Sequence, residues 1–454
     1  MTARKKRILI SIPAVAWTLV FSVSAADTTA SRTFPPDVAE IGRWLDGAAV
    51  RTEAGLAWPA DPRDPKTVNA GLYAGTPGVV LFYLEAGAAA RDAGEIALAN
   101  GYFNNARAGG DDLMARIGEE KGTGLYEGLG GIAFALEETY KATKDPKYRQ
   151  GFLDCLEGIA RKVQANGSGL EWSQVTDIIS GSAGTGLVLL YAFRETGDKR
   201  WLSLAAKAGD RLLELGRPKN GGLDWTMDPS YPRLMPNFSH GAAGVAFFLA
   251  RLYEETKAEK YLNAALAGAK YLLSIAKTDG EACLIFHDEP DNKDLYYLGW
   301  CHGPVGTANL FYELFKVTRD RAWMDWVQKA AHGLMDSGIP EKETPGFWNN
   351  AGICCGLAGV ADFFRVLHAM TKNVHYLTFG RRVIGQLRKK ATSDAAGMRW
   401  VQAEHRTQPK LLIAQTGLMQ GAAGIGLVLL RWTAMETSAG RPSVRIVMPD
   451  SAFK

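Results

Sequence analysis

The chain has 454 residues, 47% of them hydrophobic and 22% charged, with a formal net charge of +4 and only 5 cysteines. That positive excess equals the four basic residues at its start, Arg4, Lys5, Lys6 and Arg7, so the remainder is close to neutral and offers no electrostatic case for a nucleic-acid partner. The small, odd cysteine count shows no disulfide framework.

The first element reads as an export signal. The basic cluster precedes an apolar run from Ile8 to Val20, and Val23-Ser24-Ala25 supplies the small residues of a cleavage site. We therefore expect a signal peptide over 1–25 and a periplasmic or secreted protein. An uncleaved membrane anchor is the alternative, because the apolar run is slightly long. No later stretch has the length and apolarity of a membrane span.

A single motif then recurs seven times. Gly-x-x-Gly followed by an apolar run begins at Gly75, Gly128, Gly181, Gly241, Gly303, Gly356 and Gly421, at intervals of 53, 53, 60, 62, 53 and 65 residues. Such a period marks a repeat architecture. Between copies, segments such as "RWLSLAAKAGDRLLEL" (200–215) and "KYLNAALAGAKYLLSI" (260–275) carry apolar residues at i, i+3, i+4 and i+7, the pattern of an amphipathic helix. The runs after the glycines, "VLLYAF" among them, are apolar nearly all round and suit helices buried on every side. Each repeat thus predicts an outer and an inner helix, joined by short turns such as "TKDPKYR" and "TGDKRWL". Tryptophans at 58, 172, 225, 400 and 348 close Gly-x-x-Trp-like elements in the connecting segments, where they are expected to pack, with some lining a pocket. Seven two-helix repeats predict an all-α fold closing into an α/α toroid. The boundaries read as a linker over 26–36, one domain over 37–436 and a tail over 437–454.

If the inner-helix starts converge, the residues just before each glycine pair face a shared centre. Most copies carry nothing ionisable there, as in "LYA" before Gly75 and "LMQ" before Gly421. Three consecutive copies differ: "NFSHG" places His240, "LGWCHG" places Cys301 and His302, and "GICCG" places Cys354 and Cys355. Neighbouring cysteines are poorly placed for a disulfide, since their Cα atoms lie only about 3.8 Å apart. Three soft ligands from adjacent helix starts suit Zn²⁺, against the alternatives of a vicinal disulfide or buried free thiols. Cys155 and Cys283 read as packing residues. His287 has weak support as a pocket residue, and His332, His368, His375 and His405 read as surface or core.

At these residues the chain resembles the lanthionine synthetase C-like (LanC-like) family, through the seven glycine pairs, "SHGAAG", "WCHG" and "CCG", over nearly the whole chain after residue 25. The resemblance implies an α/α toroid with a central zinc held by Cys301, Cys354 and Cys355. The last cysteine stands where histidine is common in the family. His302, at a position often aromatic, is an alternative ligand. The resemblance also implies a catalytic His240 and a catalytic Asp177, the latter four residues before Gly181; read alone, Asp177 is equally a helix cap. The implied reaction adds a cysteine thiolate to dehydroalanine or dehydrobutyrine, forming a thioether. A dehydrated peptide or a thiol-containing small molecule is the implied partner, and the protein is expected to act as a monomer. Two other classes suit an exported toroid. One is a glycan-active enzyme using a carboxylate pair, for which Asp224, Asp228 and Asp362 are candidates. The other is a non-catalytic zinc-stabilised scaffold.

Overall fold

Each first glycine caps a helix whose faces are all buried, which is what an apolar run without a polar face demands. The computed structural model describes residues 33–231, 233–437 and 446–453; the expected signal peptide lies outside them. In chain order the helices are α1 (Pro36–Ala48), α2 (Thr76–Asp92), α3 (Ile96–Arg116), α4 (Leu129–Thr143), α5 (Pro146–Arg161), α6 (Ser182–Thr196), α7 (Lys199–Leu215), α8 (Ala242–Thr256), α9 (Glu259–Ile275), α10 (Pro304–Thr318), α11 (Ala322–Asp336), α12 (Leu357–Thr371), α13 (Val374–Lys389) and α14 (Ala422–Glu436). Among the described residues, none of these helices is long and apolar enough to cross a membrane.

The even-numbered helices form the inner layer and the odd-numbered ones the outer. Each inner helix packs on its inner neighbours, and the series closes where α14 meets α2. Among the described residues the first helix is an outer one and the last an inner one, so α1 packs against α14 and completes the final pair. The ring is therefore shut by the two ends of the domain. The predicted turns between layers are present: Lys144 and Gly197 end α4 and α6 in the left-handed region, and Asp145 and Asp198 cap the next helices.

The second glycine of every motif but the first lets the chain double back over the first helical turn; at Gly78 the close neighbour is Leu418 of the last repeat. A Cβ at Gly306 would strike the carbonyl oxygen of Trp300, and one at Gly424 that of Leu418. The seven segments held this way are linked to each other by backbone hydrogen bonds. Tyr73 N–H donates to Tyr126 O, Tyr126 to Ile179, Ile178 to Ser239, Ser239 to Cys301, Cys301 to Cys354, Cys354 to Met419, and Met419 back to Tyr73, at 2.9–3.2 Å. This closed annulus brings residues almost 350 positions apart to one centre.

The connecting segments hold small antiparallel hairpins, which the helical periodicity did not predict. They are β1 (Val50–Arg51) with β2 (Leu56–Ala57), β3 (Gln164–Asn166) with β4 (Gly169–Glu171), β5 (Arg217–Lys219) with β6 (Gly222–Asp224), β7 (Lys277–Asp279) with β8 (Ala282–Leu284), β9 (Thr392–Asp394) with β10 (Gly397–Arg399), and β11 (Gln402–Ala403) with β12 (Leu412–Ile413). Four tryptophans follow such hairpins and donate Nε1–H to an outer-helix carbonyl thirteen residues earlier. Trp58 reaches Leu45, Trp172 Ile159, Trp225 Leu212 and Trp400 Leu387, at 2.7–2.8 Å. Each satisfies a carbonyl near a helix end while filling the gap between layers. Cys283, in the fourth hairpin, is buried in the equivalent segment, and Cys155 is buried on α5, as expected for packing residues.

Residues 446–453 run across the middle of the ring. Ile446 N–H donates to Glu85 of α2 at 2.7 Å, Ala452 N–H to Asn309 of α10 at 3.0 Å, and Phe453 stacks on Tyr312 with ring centres 4.8 Å apart. An apolar cavity of about 130 Å³ lies beside this segment, bounded above by Tyr126 and Trp300.

Candidate metal centre

The annulus places Cys301 two residues before the cap of α10, and Cys354 and Cys355 immediately before the cap of α12. The Trp300 and Cys301 amides both donate to the Cys354 carbonyl, at 2.7 and 3.1 Å, which fixes the two segments side by side. The Sγ atoms of Cys301 and Cys355 lie 3.1 Å apart, those of Cys355 and Cys354 3.4 Å, and all three fall within 4.8 Å of one another. All three are buried free thiols, so the vicinal disulfide is not formed.

Three sulfurs this close cannot all ionise unaided. Burial pushes the Cys301 thiol well up, and the hydrogen bonds that Cys355 donates to Cys301 and Cys354, with burial, push Cys355 up; Cys354 is drawn down against burial by the thiols and Tyr73 donating to it. Without a cation the cluster supports one thiolate. A divalent ion bound by all three would offset that repulsion, and soft sulfur donors in a compact trio fit Zn²⁺. The inner-helix N-termini that surround the trio add favourable partial positive charge for thiolates.

The trio forms one wall of a cavity of about 360 Å³. His240 opens onto the same cavity, with Nδ1 2.6 Å from Asp177 Oδ2. Asp177 is 1% exposed, and its other oxygen accepts the Ser180 and Gly181 amides at 2.9 Å each. It therefore holds the turn that leads into α6 and the histidine at once, while the helix itself is capped by Gly181 without a side-chain bond. Burial pulls the His240 pKa down, but the hydrogen bond and charge of Asp177, helped by Cys354 and Glu127, carry it above its ordinary value. With Nδ1 committed to Asp177, Nε2 is the nitrogen left for chemistry.

His302 lines the same cavity but stands outside the sulfur cluster. Among the described residues the metal-ligating cluster comprises the three cysteines without it. Its ring lies 4.3 Å from that of His287 and 5.6 Å from that of His240, and burial holds it well below the usual histidine pKa.

The sequence had flagged His287 only weakly; it lines the cavity, as do Tyr73, Trp348, Glu404, Arg406 and Gln420. Gln420 donates to Tyr73 Oη at 2.9 Å and lies 3.7 Å from Cys355 Sγ, so the pair supports the sulfur cluster. Tyr73 and Gln420 occupy the same register before their glycines as the cysteines do, and that register was the signal that could have found them. Arg406, 3.3 Å from Tyr297 Oη, and Glu404 come from the loop between β11 and β12, where no periodicity points inward. His405 is largely exposed at the cavity mouth. His332, His368 and His375 stand on α11, α12 and α13, outside the cavity lining.

The three aspartates of the glycan reading do not meet. Asp224 pairs with Arg217 at 3.0 Å, Asp228 accepts from Ser230 in a surface turn, and Asp362 pairs with Arg365 at 2.7 Å.

Residues 66–446 match the family described as lanthionine synthetase C-like protein. Among solved structures the chain is similar to nisin cyclase, with a TM-score of 0.62 at 16% identity, covering 88% of this chain and 93% of that one. It is also similar to a glycoside hydrolase family 76 mannosidase from Bacteroides thetaiotaomicron, with a TM-score of 0.49 at 12% identity over 89% and 99% of the two chains. The alpha-1,6-mannanase of the same hydrolase family from Salegentibacter sp. matches with a TM-score of 0.48 at 14% identity, over 88% and 98%.

Proposed function

Because the chain belongs to the lanthionine synthetase C-like family, we propose that it is a zinc-dependent, thioether-forming enzyme that adds a thiol to dehydroalanine or dehydrobutyrine. The observation that carries this reading is the convergence of three buried cysteine sulfurs and a His–Asp pair on one cavity. The name of nisin cyclase points the same way, towards a dehydrated peptide as substrate.

Bound at Cys301, Cys354 and Cys355, zinc supplies the acidity that turns an incoming thiol into a good nucleophile near neutral pH. The rest falls to the protein. Addition of sulfur to the β-carbon leaves an enolate at the α-carbon, which must be protonated. His240 is positioned to give that proton from Nε2, and Asp177 holds its ring in the required tautomer and stabilises the imidazolium beforehand. Tyr73 and Gln420 keep Cys355 in place. The cavity is closed below by the annulus, so substrate enters from the side bearing Glu404, His405 and Arg406.

Export belongs to the proposal. The start of the sequence directs the protein to the periplasm or medium, where it meets a substrate that has already been dehydrated; cell fractionation with and without residues 1–25 tests this. The activity test uses the zinc-loaded chain lacking residues 1–25, a dehydroalanine peptide and a cysteine-containing thiol. We expect a thioether, read by mass spectrometry, that Cys354→Ala abolishes. No thioether from protein carrying one zinc per chain would overturn the reading.

A further inference from the structure

The cavity lined by His240 holds a second histidine–aspartate pair. His287 Nδ1 lies 2.5 Å from Asp288 Oδ2. Asp288 is 2% exposed, accepts two contacts from Asn292 Nδ2 at 2.9 and 3.0 Å, and faces Arg233 Nη1 at 3.4 Å. The backbone around the pair is pinned as well. The His287 amide donates to Leu295 O at 2.7 Å, and Glu289 and Leu234 exchange both backbone bonds at 3.0 and 3.1 Å. Asp288 thus fixes the ring as Asp177 fixes His240, and leaves Nε2 free in a side chain that lines the cavity. The His287 ring lies 4.2 Å from Tyr297 and 4.3 Å from His302, whose ring lies 5.6 Å from His240. Both histidines therefore neighbour His302, and both line the cavity that the sulfurs line.

We propose that His287, oriented by Asp288, is a second proton-handling residue of this site and takes up the proton an incoming thiol surrenders. The assignment rests on the thioether reading and divides its proton traffic. In the addition an S–H bond and the π bond between the α- and β-carbons break, an S–C bond forms at the β-carbon and a C–H bond forms at the α-carbon. His287 receives the sulfur's proton on Nε2 and His240 gives one to carbon. Exchange with solvent then restores both rings, and no oxidant or reductant is needed. A single histidine would have to swing a proton from sulfur to carbon; two separate rings need no such movement.

The surroundings of the two rings are suited to opposite roles. The groups facing His287 are Asp288, His302, His240, Tyr297 and Arg406. Burial lowers its pKa, Asp288 opposes this, and the positive charges of Arg406 and His240 lower it further, so the net direction is down. His240 moves up. Pairs of titrating groups driven apart in this way mark an acid and a base.

The test counts protons before any turnover. Zinc-loaded protein is titrated at pH 7.5 with N-acetylcysteine methyl ester, alone, in two buffers of different ionisation enthalpy. The difference in heat gives protons released per thiol bound. Wild type is expected to release well under one, because the bound thiolate places a new negative charge before His287 and strengthens the ring's hold on the proton it captures. His287→Gln, with zinc content unchanged, is expected to release nearly one, and Asp288→Asn an intermediate number. In turnover, His287→Gln should lower kcat/KM by about 100-fold with little change in thiol affinity. Equal proton release from wild type and His287→Gln, with thiol bound in both, would overturn this assignment and leave the thioether reading standing. Zinc-loaded wild type that binds no thiol would overturn both.

Discussion

Asp177→Asn keeps the shape of the side chain behind His240 and removes its charge. The Ser180 and Gly181 amides hold one oxygen at 2.9 Å, so the asparagine carbonyl stays with them and its amide turns to His240 Nδ1. That amide donates, so Nδ1 must accept, and the imidazolium loses its partner. Opposite charges 4 Å apart attract by about 4 kcal/mol at an effective dielectric of 20. The observed 2.6 Å contact makes this a lower figure for the gross interaction. At about 1.4 kcal/mol per factor of ten, its loss weakens proton binding at the ring by up to about 1,000-fold, and burial alone then acts on it. His240 moves from above its ordinary value to well below it, and its protonated fraction at pH 7.5 falls by about 100- to 1,000-fold. Thioether formation should fall similarly, and its alkaline limb should shift to lower pH. The assay follows product by mass spectrometry from pH 6 to 9, with zinc content and melting temperature as controls. A variant within threefold of wild type, with the same pH profile, would refute the reasoning.

The remaining predictions concern the metal, the axial segment and the frame. Cys354→Ala and Cys355→Ala should each lose bound zinc, measured by elemental analysis of the purified protein. Cys355→His should retain zinc but add thiol more slowly, because replacing one thiolate by a neutral imidazole reduces the electron density at the metal; addition at the wild-type rate or faster would count against this. Burial raises the Asp450 carboxyl from 3.8 to about 6, despite the Tyr126 hydroxyl 3.0 Å away. The folded state therefore holds a proton that the unfolded chain has released, so stability declines as pH rises from about 4 to about 6 and stays reduced above, by about 3 kcal/mol. Asp450→Asn should abolish this decline, raising the melting temperature at pH 7.5 and leaving it little changed at pH 4, as read by calorimetry. Trp400→Phe should cost about 1–2 kcal/mol in denaturant unfolding, since Leu387 O loses the donor 2.8 Å away.

Much of the architecture was legible in the sequence because repetition makes one local rule visible seven times. Gly-x-x-Gly before an apolar run gave the inner helices, and the i, i+3, i+4 spacing gave the outer ones, since both are properties of contiguous residues. The shared register before the glycines brought His240, Cys301, Cys354 and Cys355 to attention for the same reason. Asp177 needed the family resemblance, because an aspartate four residues before a helix cap is ordinary, and only the fold sets it 2.6 Å from a histidine 63 positions away. The hairpins were missed because strands of two or three residues carry no period. His287 and Asp288 lie in such a connecting segment, outside the repeating register. What turns them toward the cavity is the pairing of Glu289 with Leu234 and the annulus that closes through Met419 and Tyr73. The sequence by itself determined the helices and which residues could ligate a metal, because periodicity and side-chain chemistry are local. Which of those residues meet was decided by ring closure, because distance across the ring depends on how all seven repeats pack and on none of them alone.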